Sequence, residues 1–335
     1  MIAPAATVGI IVNPLAGTDI RRLSAPAGHT SHAAKVGIVQ KIAVAAIEAG
    51  AHRVLLGDDG AGLARRAAQS IGSAAEVIAD IPADAHSRSI VAAQQMWKRG
   101  CAVVVAVGGD GTCRDVAVGW PGVPLIAVST GTNNVYPQSI DPIAAGSAAG
   151  LIAAGQVPLD YVSRPSKRLS VQVGDQEYIA LVDVAVLDGT VVGSRAVLDI
   201  GTVRSVVAAI SSPLASGLSS IAGRVMPIDS DDPDAIVVDL GGATAGRRTR
   251  VPLVPGRFAT VEVAATRRLR RGAVERFVGP AVLAFDGERD VVLYRDETAF
   301  VTVDDGGPMR IDVERSLGLA VHRRLFDLPG AADGP

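Results

Sequence analysis

Gly108-Gly109-Asp110-Gly111-Thr112 follows directly on the apolar run Cys101–Val107 and precedes a helix-like segment that starts near Arg114. A strand that feeds glycines, a carboxylate and a helix start outlines a site for nucleotide phosphates. Glycines let the backbone approach a ligand and adopt positive φ, and the N–H groups of a helix start attract anionic oxygens. Asp110 then stands where phosphates, a metal ion and a substrate hydroxyl meet. A bare turn needs glycine but not this whole run at a strand-to-helix junction, and the Walker pattern GxxxxGK[ST] is absent.

The surrounding pattern fixes the fold class as α/β. Short apolar runs at Val8–Val12, Arg53–Gly57, Glu76–Ile78, Cys101–Val107 and Pro124–Val128 alternate with helical segments at Ala34–Glu48, Gly62–Gln69, Ser87–Arg99 and Arg114–Gly119. Strands interleaved with helices imply a parallel sheet covered on both faces, with ligands bound outside the carboxyl ends of its strands. From Arg168 the texture changes to β-rich stretches, Leu169–Val173, Tyr178–Val186, Ala235–Asp239, Ala259–Ala264, Ala281–Phe285, Val291–Tyr294 and Phe300–Val303, broken by turn residues, with one helix expected near Ile200–Ile210. The expectation is an N-terminal doubly wound α/β domain over residues 1–160 and a C-terminal antiparallel, sandwich-like β domain over 161–310. A closing strand and helix over 311–328 return to the first domain, the active site lies in the interdomain cleft, and the tail 329–335 is expected to be disordered.

Composition narrows the partners. Of the 335 residues 20% are charged, with a formal net charge of -2, so nothing in the overall charge attracts nucleic acid, and any anionic ligand must be recognised locally. Two cysteines, Cys101 and Cys113, in no metal-ligand spacing, and a start without a charged leader region point to a reducing, cytoplasmic setting. No apolar stretch reaches the roughly 18 residues of a spanning helix, so integral membrane association is not expected.

Two further loops accompany the first. Val12-Asn13-Pro14-Leu15-Ala16-Gly17 closes the first strand, and Ser129-Thr130-Gly131-Thr132-Asn133-Asn134 follows the strand Pro124–Val128. Together with GGDGT, these loops resemble the superfamily of NAD kinases, diacylglycerol and sphingosine kinases and, more distantly, 6-phosphofructokinases. Within it the chain is most similar to the ATP-NAD-kinase-like branch of acetoin catabolism protein X type, over about residues 8–326. The resemblance implies that Asn13, Gly108, Gly109, Gly111, Thr112, Thr130, Gly131, Thr132, Asn133 and Asn134 hold the phosphates of ATP, with Mg²⁺ carried on the triphosphate, and that the protein is a homodimer or homotetramer. Asp110 is the candidate that orients or deprotonates the acceptor hydroxyl.

Three segments of the second half carry the acceptor side of the resemblance. Leu181–Val186 is similar to the NAD kinase strand LN(D/E)VVV, which makes Asp183 an acceptor-binding candidate, although Val182 replaces the asparagine; an aspartate there equally satisfies a turn or neighbouring backbone. Leu218–Pro227 aligns with LSAGGP…P and implies an acceptor contact for Ser219; a serine- and glycine-rich interdomain loop accounts for it equally well. Phe285-Asp286-Gly287-Glu288 resembles the DGE turn of diacylglycerol kinases, giving Asp286 as acceptor contact and Glu288 as catalytic base; Asp-Gly between apolar strands is also a common hairpin turn.

Other signals are weaker. Gly60-Ala61-Gly62 begins like a dinucleotide fingerprint but has Arg65 where its last glycine belongs, His29 and His32 lack further zinc ligands, and Arg267–Arg271 reads as a solvated loop or an anion contact. The sequence thus points to an ATP- and Mg²⁺-dependent kinase of a small nucleotide-like acceptor such as NAD or NADH. A lipid kinase and a non-catalytic nucleotide sensor are the alternatives.

Overall fold

The computed structural model describes residues 6–17, 30–79, 81, 85–131, 134–189, 200–241, 246–254 and 257–327. The elements of its first half are β1 (Thr7–Val12), α1 (His32–Glu48), β2 (Arg53–Gly57), α2 (Leu63–Ile71), β3 (Ala75–Ile78), α3 (Ala85–Lys98), β4 (Val103–Gly108), α4 (Asp110–Gly119), β5 (Pro124–Ser129), α5 (Pro142–Ala153), α6 (Leu159–Val162) and β6 (Ser163–Pro165). There follow β7 (Arg168–Val173), β8 (Gln176–Ala180), β9 (Asp183–Leu187), β10 (Val203–Ala208), α7 (Ser219–Val225), β11 (Ala235–Leu240), β12 (Arg247–Val254) and β13 (Arg257–Leu269). The chain closes with β14 (Glu275–Val278), β15 (Ala281–Phe285), β16 (Glu288–Leu293), β17 (Thr298–Asp304), β18 (Met309–Ile311) and α8 (Val313–His322).

The first sheet has the order β3-β2-β1-β4-β5-β18-β6, parallel from β3 to β18 and closed by antiparallel β6. β1 and β4 are buried along their whole length, as expected of strands covered on both faces. One layer of core joins Val8, Ile10, Val103 and Val105 to α1 and α5, and the other joins Ile11, Val104 and Ala106 to Met96 of α3 and Val116 of α4. Each fully buried valine or leucine is worth about 1.5–3 kcal/mol of transfer free energy, so the sheet is a rigid base for the loops at its carboxyl edge.

The second half builds a seven-stranded antiparallel sheet, β12-β13-β11-β10-β9-β15-β16, and a four-stranded one, β14-β17-β7-β8. β18 returns beside β5, bringing α8 back onto the first sheet. Two expectations are corrected. Ile200–Ile210 is a single 3-10 turn, Ile200–Thr202, followed by strand β10. Val203, Val206 and Val207 have helical spacing, but β10 is buried on both faces and so lacks the alternation that marks a half-exposed strand. The stretch Tyr178–Val186 is two strands, β8 and β9, in different sheets. Residues 329–335 lie outside the described residues.

Candidate active site

Three loops meet at the carboxyl edge of the first sheet. The loop after β1 is tied to β4 by the Asn13 N–H donating to Val107 O at 3.0 Å. The Asn13 side chain accepts from the Leu15 N–H at 2.8 Å and donates through Nδ2 to Thr112 Oγ1 at 2.9 Å, so one asparagine shapes its own turn and grips the GGDGT helix. Gly17 has φ 73°, and a Cβ there would lie 2.8 Å from Thr130 O, so only glycine lets the first loop touch the third.

α4 begins at Asp110, four residues earlier than the sequence indicated, with Gly109 as its N-cap. Its first intrahelical bond runs from Cys113 N–H to Gly109 O at 3.2 Å, so the amides of Gly111 and Thr112 precede the helix's own hydrogen-bond ladder. The expected positive φ is not found at Gly108, Gly109 or Gly111. Gly108 is instead required for space: a Cβ would lie 2.6 Å from Thr112 Cβ, and Thr112 must occupy that space to meet Asn13.

The Asp110 carboxylate holds the third loop in place. Oδ1 accepts from Val135 N–H at 3.0 Å and from Tyr136 N–H at 2.8 Å. In that loop the Thr130 N–H donates to Gly108 O at 3.1 Å, and Asn134 Nδ2 donates to Ser129 Oγ at 2.6 Å. Thr130 is buried, and its hydroxyl has no hydrogen-bond partner among the described residues. A polar atom left so, beside Gly131 and the α4 N-terminus, fits a site that receives polar ligand atoms. Thr132 and Asn133 lie outside the described residues.

From the second half, the β15–β16 turn reaches over α4. A Cβ on Gly111 would lie 3.7 Å from the Glu288 carboxyl carbon, which places this acid beside the helix's first turn. Buried Arg114, one turn into α4, donates from Nη1 to Phe285 O at 2.8 Å, and its Nη2 lies 3.8 Å from Glu288 Oε2. Arg114 thereby ties the GGDGT helix to the turn that carries Glu288.

Asp286 serves a different purpose from the expected acceptor contact. Its carboxylate accepts the N–H groups of Leu181, Val182 and Asp183 at 2.8–3.2 Å, closing the β8–β9 corner against the turn. Burial pushes its carboxyl above the ordinary value, against the pull of Arg114 and those amides. Val182, which replaces the asparagine, is a core side chain, while Asp183 is buried at the start of β9. Ser219 is buried on α7, which packs on β10, β11 and β12, and no described bond joins it to the three loops.

Local chemistry also disposes of the weaker motifs. The Asp59 carboxylate accepts from Ala61, Leu63 and Ala64 N–H at 2.7–3.1 Å, so the N-terminus of α2 is filled by its own chain. Arg267 pairs with Asp239 and Glu275, Arg268 with Asp232 and Asp234, and Arg271 with Asp305, so three of the four arginines of the cluster are paired within the chain. His29 lies outside the described residues, and no group of three or more His, Cys, Asp or Glu positioned for a metal ion occurs among the described residues.

Sequence reasoning missed two cations. Arg114 is one; the other is Lys35, fully buried on α1, whose Nζ donates to Asn13 O, Pro14 O and Ala16 O at 3.2, 2.7 and 2.7 Å. Its ammonium draws the carbonyls of the first loop inward. The available signal was a lysine four residues after Ser31, on a helix face otherwise built from Val36, Val39 and Ile42.

Residues 8–157 match the ATP-NAD kinase N-terminal domain, and residues 167–306 match the acetoin catabolism protein X C-terminal domain. Acetoin catabolism protein X of Cupriavidus necator is 34% identical over 348 residues, spanning 99% of this chain and 96% of that protein. The crystal structure of yeast NADH kinase complexed with NADH shares the fold, with a TM-score of 0.51 over 99% of this chain and 91% of its own, at 14% identity.

Proposed function

Because the chain belongs to the acetoin catabolism protein X family, whose two halves it matches in order, we propose that it is a kinase that transfers the γ-phosphoryl group of ATP to a hydroxyl of a nucleotide-like acceptor, NAD or NADH first among them. The observation that carries this reading is the convergence of three loops, locked by the Asn13–Thr112 and Asp110–Tyr136 bonds, under a carboxylate from the second half. The match to the ATP-NAD kinase N-terminal domain over 8–157, and the NADH held by the yeast enzyme of the same fold, support the choice of acceptor.

In this reading the amides of Gly109, Gly111 and Thr112 bind the donor phosphates at the start of α4, where the helix dipole favours negative charge. The Thr130 hydroxyl and the Asn134 side chain hold further phosphate oxygens. The described residues build no protein-only metal site. Magnesium carried by the nucleotide would offset the charge of its phosphates.

Asp110, fixed by the Val135 and Tyr136 amides, orients the acceptor hydroxyl, and Glu288 takes its proton. The acceptor oxygen bonds to the γ-phosphorus, the β–γ bridging oxygen leaves with ADP, and Arg114 keeps Glu288 over the reacting group. With Asp286 and Val182 engaged in the packing of the β8–β9 corner, Asp183 remains the acceptor candidate of this segment.

The test is incubation of the purified protein with γ-labelled ATP, Mg²⁺ and a panel of NAD, NADH and diacylglycerol vesicles. Label in NAD or NADH, lost in Asp110→Asn, is the expected result. Label in the lipid alone would replace the acceptor, and nucleotide binding without transfer to any acceptor would make the protein a sensor.

A further inference from the structure

A cleft of about 800 Å³ opens between the edge of the first sheet and the segment before β11. Its walls include Arg164 and Arg310 from the edge strands, Ser166 just after β6, Glu314 and Arg315 from α8, Ser230 and Asp231 from the segment before β11, and Asp312, whose carboxylate is taken up by the Arg315 N–H as the cap of α8.

Arg164 and Arg310 are direct partners across the β6–β18 ladder, so both side chains leave the same face of the sheet. Like charges directly opposite one another destabilise a strand pair. Asp231 lies 3.4 Å from Arg164, but both side chains are about 70% exposed, so this pair offsets little of the repulsion. The Arg310 guanidinium stands 5.5 Å from the centre of the Tyr136 ring and makes no hydrogen bond or ion pair among the described residues.

Stacking holds the guanidinium plane and leaves its N–H groups for an oxyanion, which Arg binds with two parallel hydrogen bonds. Tyr136 is itself fully buried, its hydroxyl 2.9 Å from Ser166 Oγ, so the platform under Arg310 is rigid. A costly arginine pair, one member prestacked without an anionic partner, at the wall of a cavity of nucleotide size, is the arrangement of an anion site.

We propose that this cleft is a second ligand site, which takes the phosphate or pyrophosphate group of a small phosphorylated molecule between Arg164 and Arg310. Tyr136 links the site to the candidate active site: it carries Arg310 on its ring and gives its N–H to Asp110. The pyrophosphate has two chemical sources, the acceptor dinucleotide itself and a separate phosphorylated metabolite. The inference rests on the cleft's own residues and stands whether or not the three loops transfer phosphate.

The experiment is calorimetric titration of inorganic pyrophosphate into the full-length protein with AMP-PNP in excess, after the affinity for AMP-PNP has been measured alone. A failure of the donor-site reading shows in that first titration, and a failure of the cleft shows in the second. Saturable pyrophosphate binding, weakened about tenfold or more in Arg310→Met and in Arg164→Met with AMP-PNP affinity unchanged, is the expected result. Arg164 is exposed and tolerates replacement if Arg310→Met disturbs the packing of Tyr136. Displacement of pyrophosphate by NADH assigns the site to the acceptor, and its retention assigns the site to a separate metabolite. No pyrophosphate binding by the native protein, or binding that both variants leave unchanged, would overturn the site; a purely structural stack of Arg310 on Tyr136 gives the second of these results.

Discussion

The Asp110 carboxylate accepts the Tyr136 N–H at 2.8 Å across 26 positions of sequence, so the acid of the GGDGT turn is also the clasp of the loop after β5. One residue therefore joins the start of α4 to the loop after β5, and its charge and its acceptor geometry have separable effects.

Asp110→Asn keeps an oxygen for the Val135 and Tyr136 amides and loses the charge. The expected outcome is a melting temperature close to native with phosphoryl transfer reduced about 100-fold or more. Asp110→Ala removes the acceptor as well and lowers stability by about 1–3 kcal/mol, because two amides are left without their partner. Chemical denaturation alongside the transfer assay separates the two.

Glu288 is about 41% exposed and lies over Gly111 without a structural bond as close as those of Asp286. Glu288→Gln is expected to leave stability within about 0.5 kcal/mol while kcat falls about 100-fold. Equal loss in stability and activity would make Glu288 a packing residue.

Lys35→Met strips the ammonium from three carbonyls of the first loop. A loss of about 2–3 kcal/mol in urea unfolding is expected, with weakened nucleotide binding because Asn13 no longer holds Thr112 in register. Native affinity in this variant would show that the first loop needs no such anchor.

Lys167 gives a pH signature outside the three loops. It is buried, with Nζ 2.6 Å from Asp232 O and 2.8 Å from Asp234 O, and burial pushes its ammonium down from 10.5 to about 8. Between those values the unfolded chain binds more protons, so this group's contribution to stability rises with pH from about 8 to 10.5. Compared with Lys167→Met, the native protein is expected to gain at most about 1 kcal/mol per pH unit over that range. A difference between the two that does not vary with pH would place the Lys167 pKa near its ordinary value.

What was legible in the sequence was local. The alternating strands and helices of the first half and the three loops after β1, β4 and β5 follow from apolar runs and turn residues within a few positions of one another. The start of α4 at Asp110 was hidden because Gly109 caps the helix without a side chain, so nothing in the composition marks the boundary. Asp286 reads as a hairpin turn, and its three amide donors lie about 100 residues away at Leu181–Asp183. Arg114 and Lys35 were passed over for the same reason: each donates to backbone carbonyls distant in sequence, Arg114 to Phe285 O beside its ion pair with Glu288, and Lys35 to Asn13 O, Pro14 O and Ala16 O, and a carbonyl leaves no trace in residue type.

The most direct test of the whole account is calorimetric titration of AMP-PNP with Mg²⁺ into the native protein and into Gly108→Ala, whose added methyl displaces Thr112 from the start of α4. One-to-one binding by the native protein, weakened about tenfold or more in the variant, is the predicted result. No binding, or equal binding by both proteins, would contradict the claim that these loops hold a nucleotide.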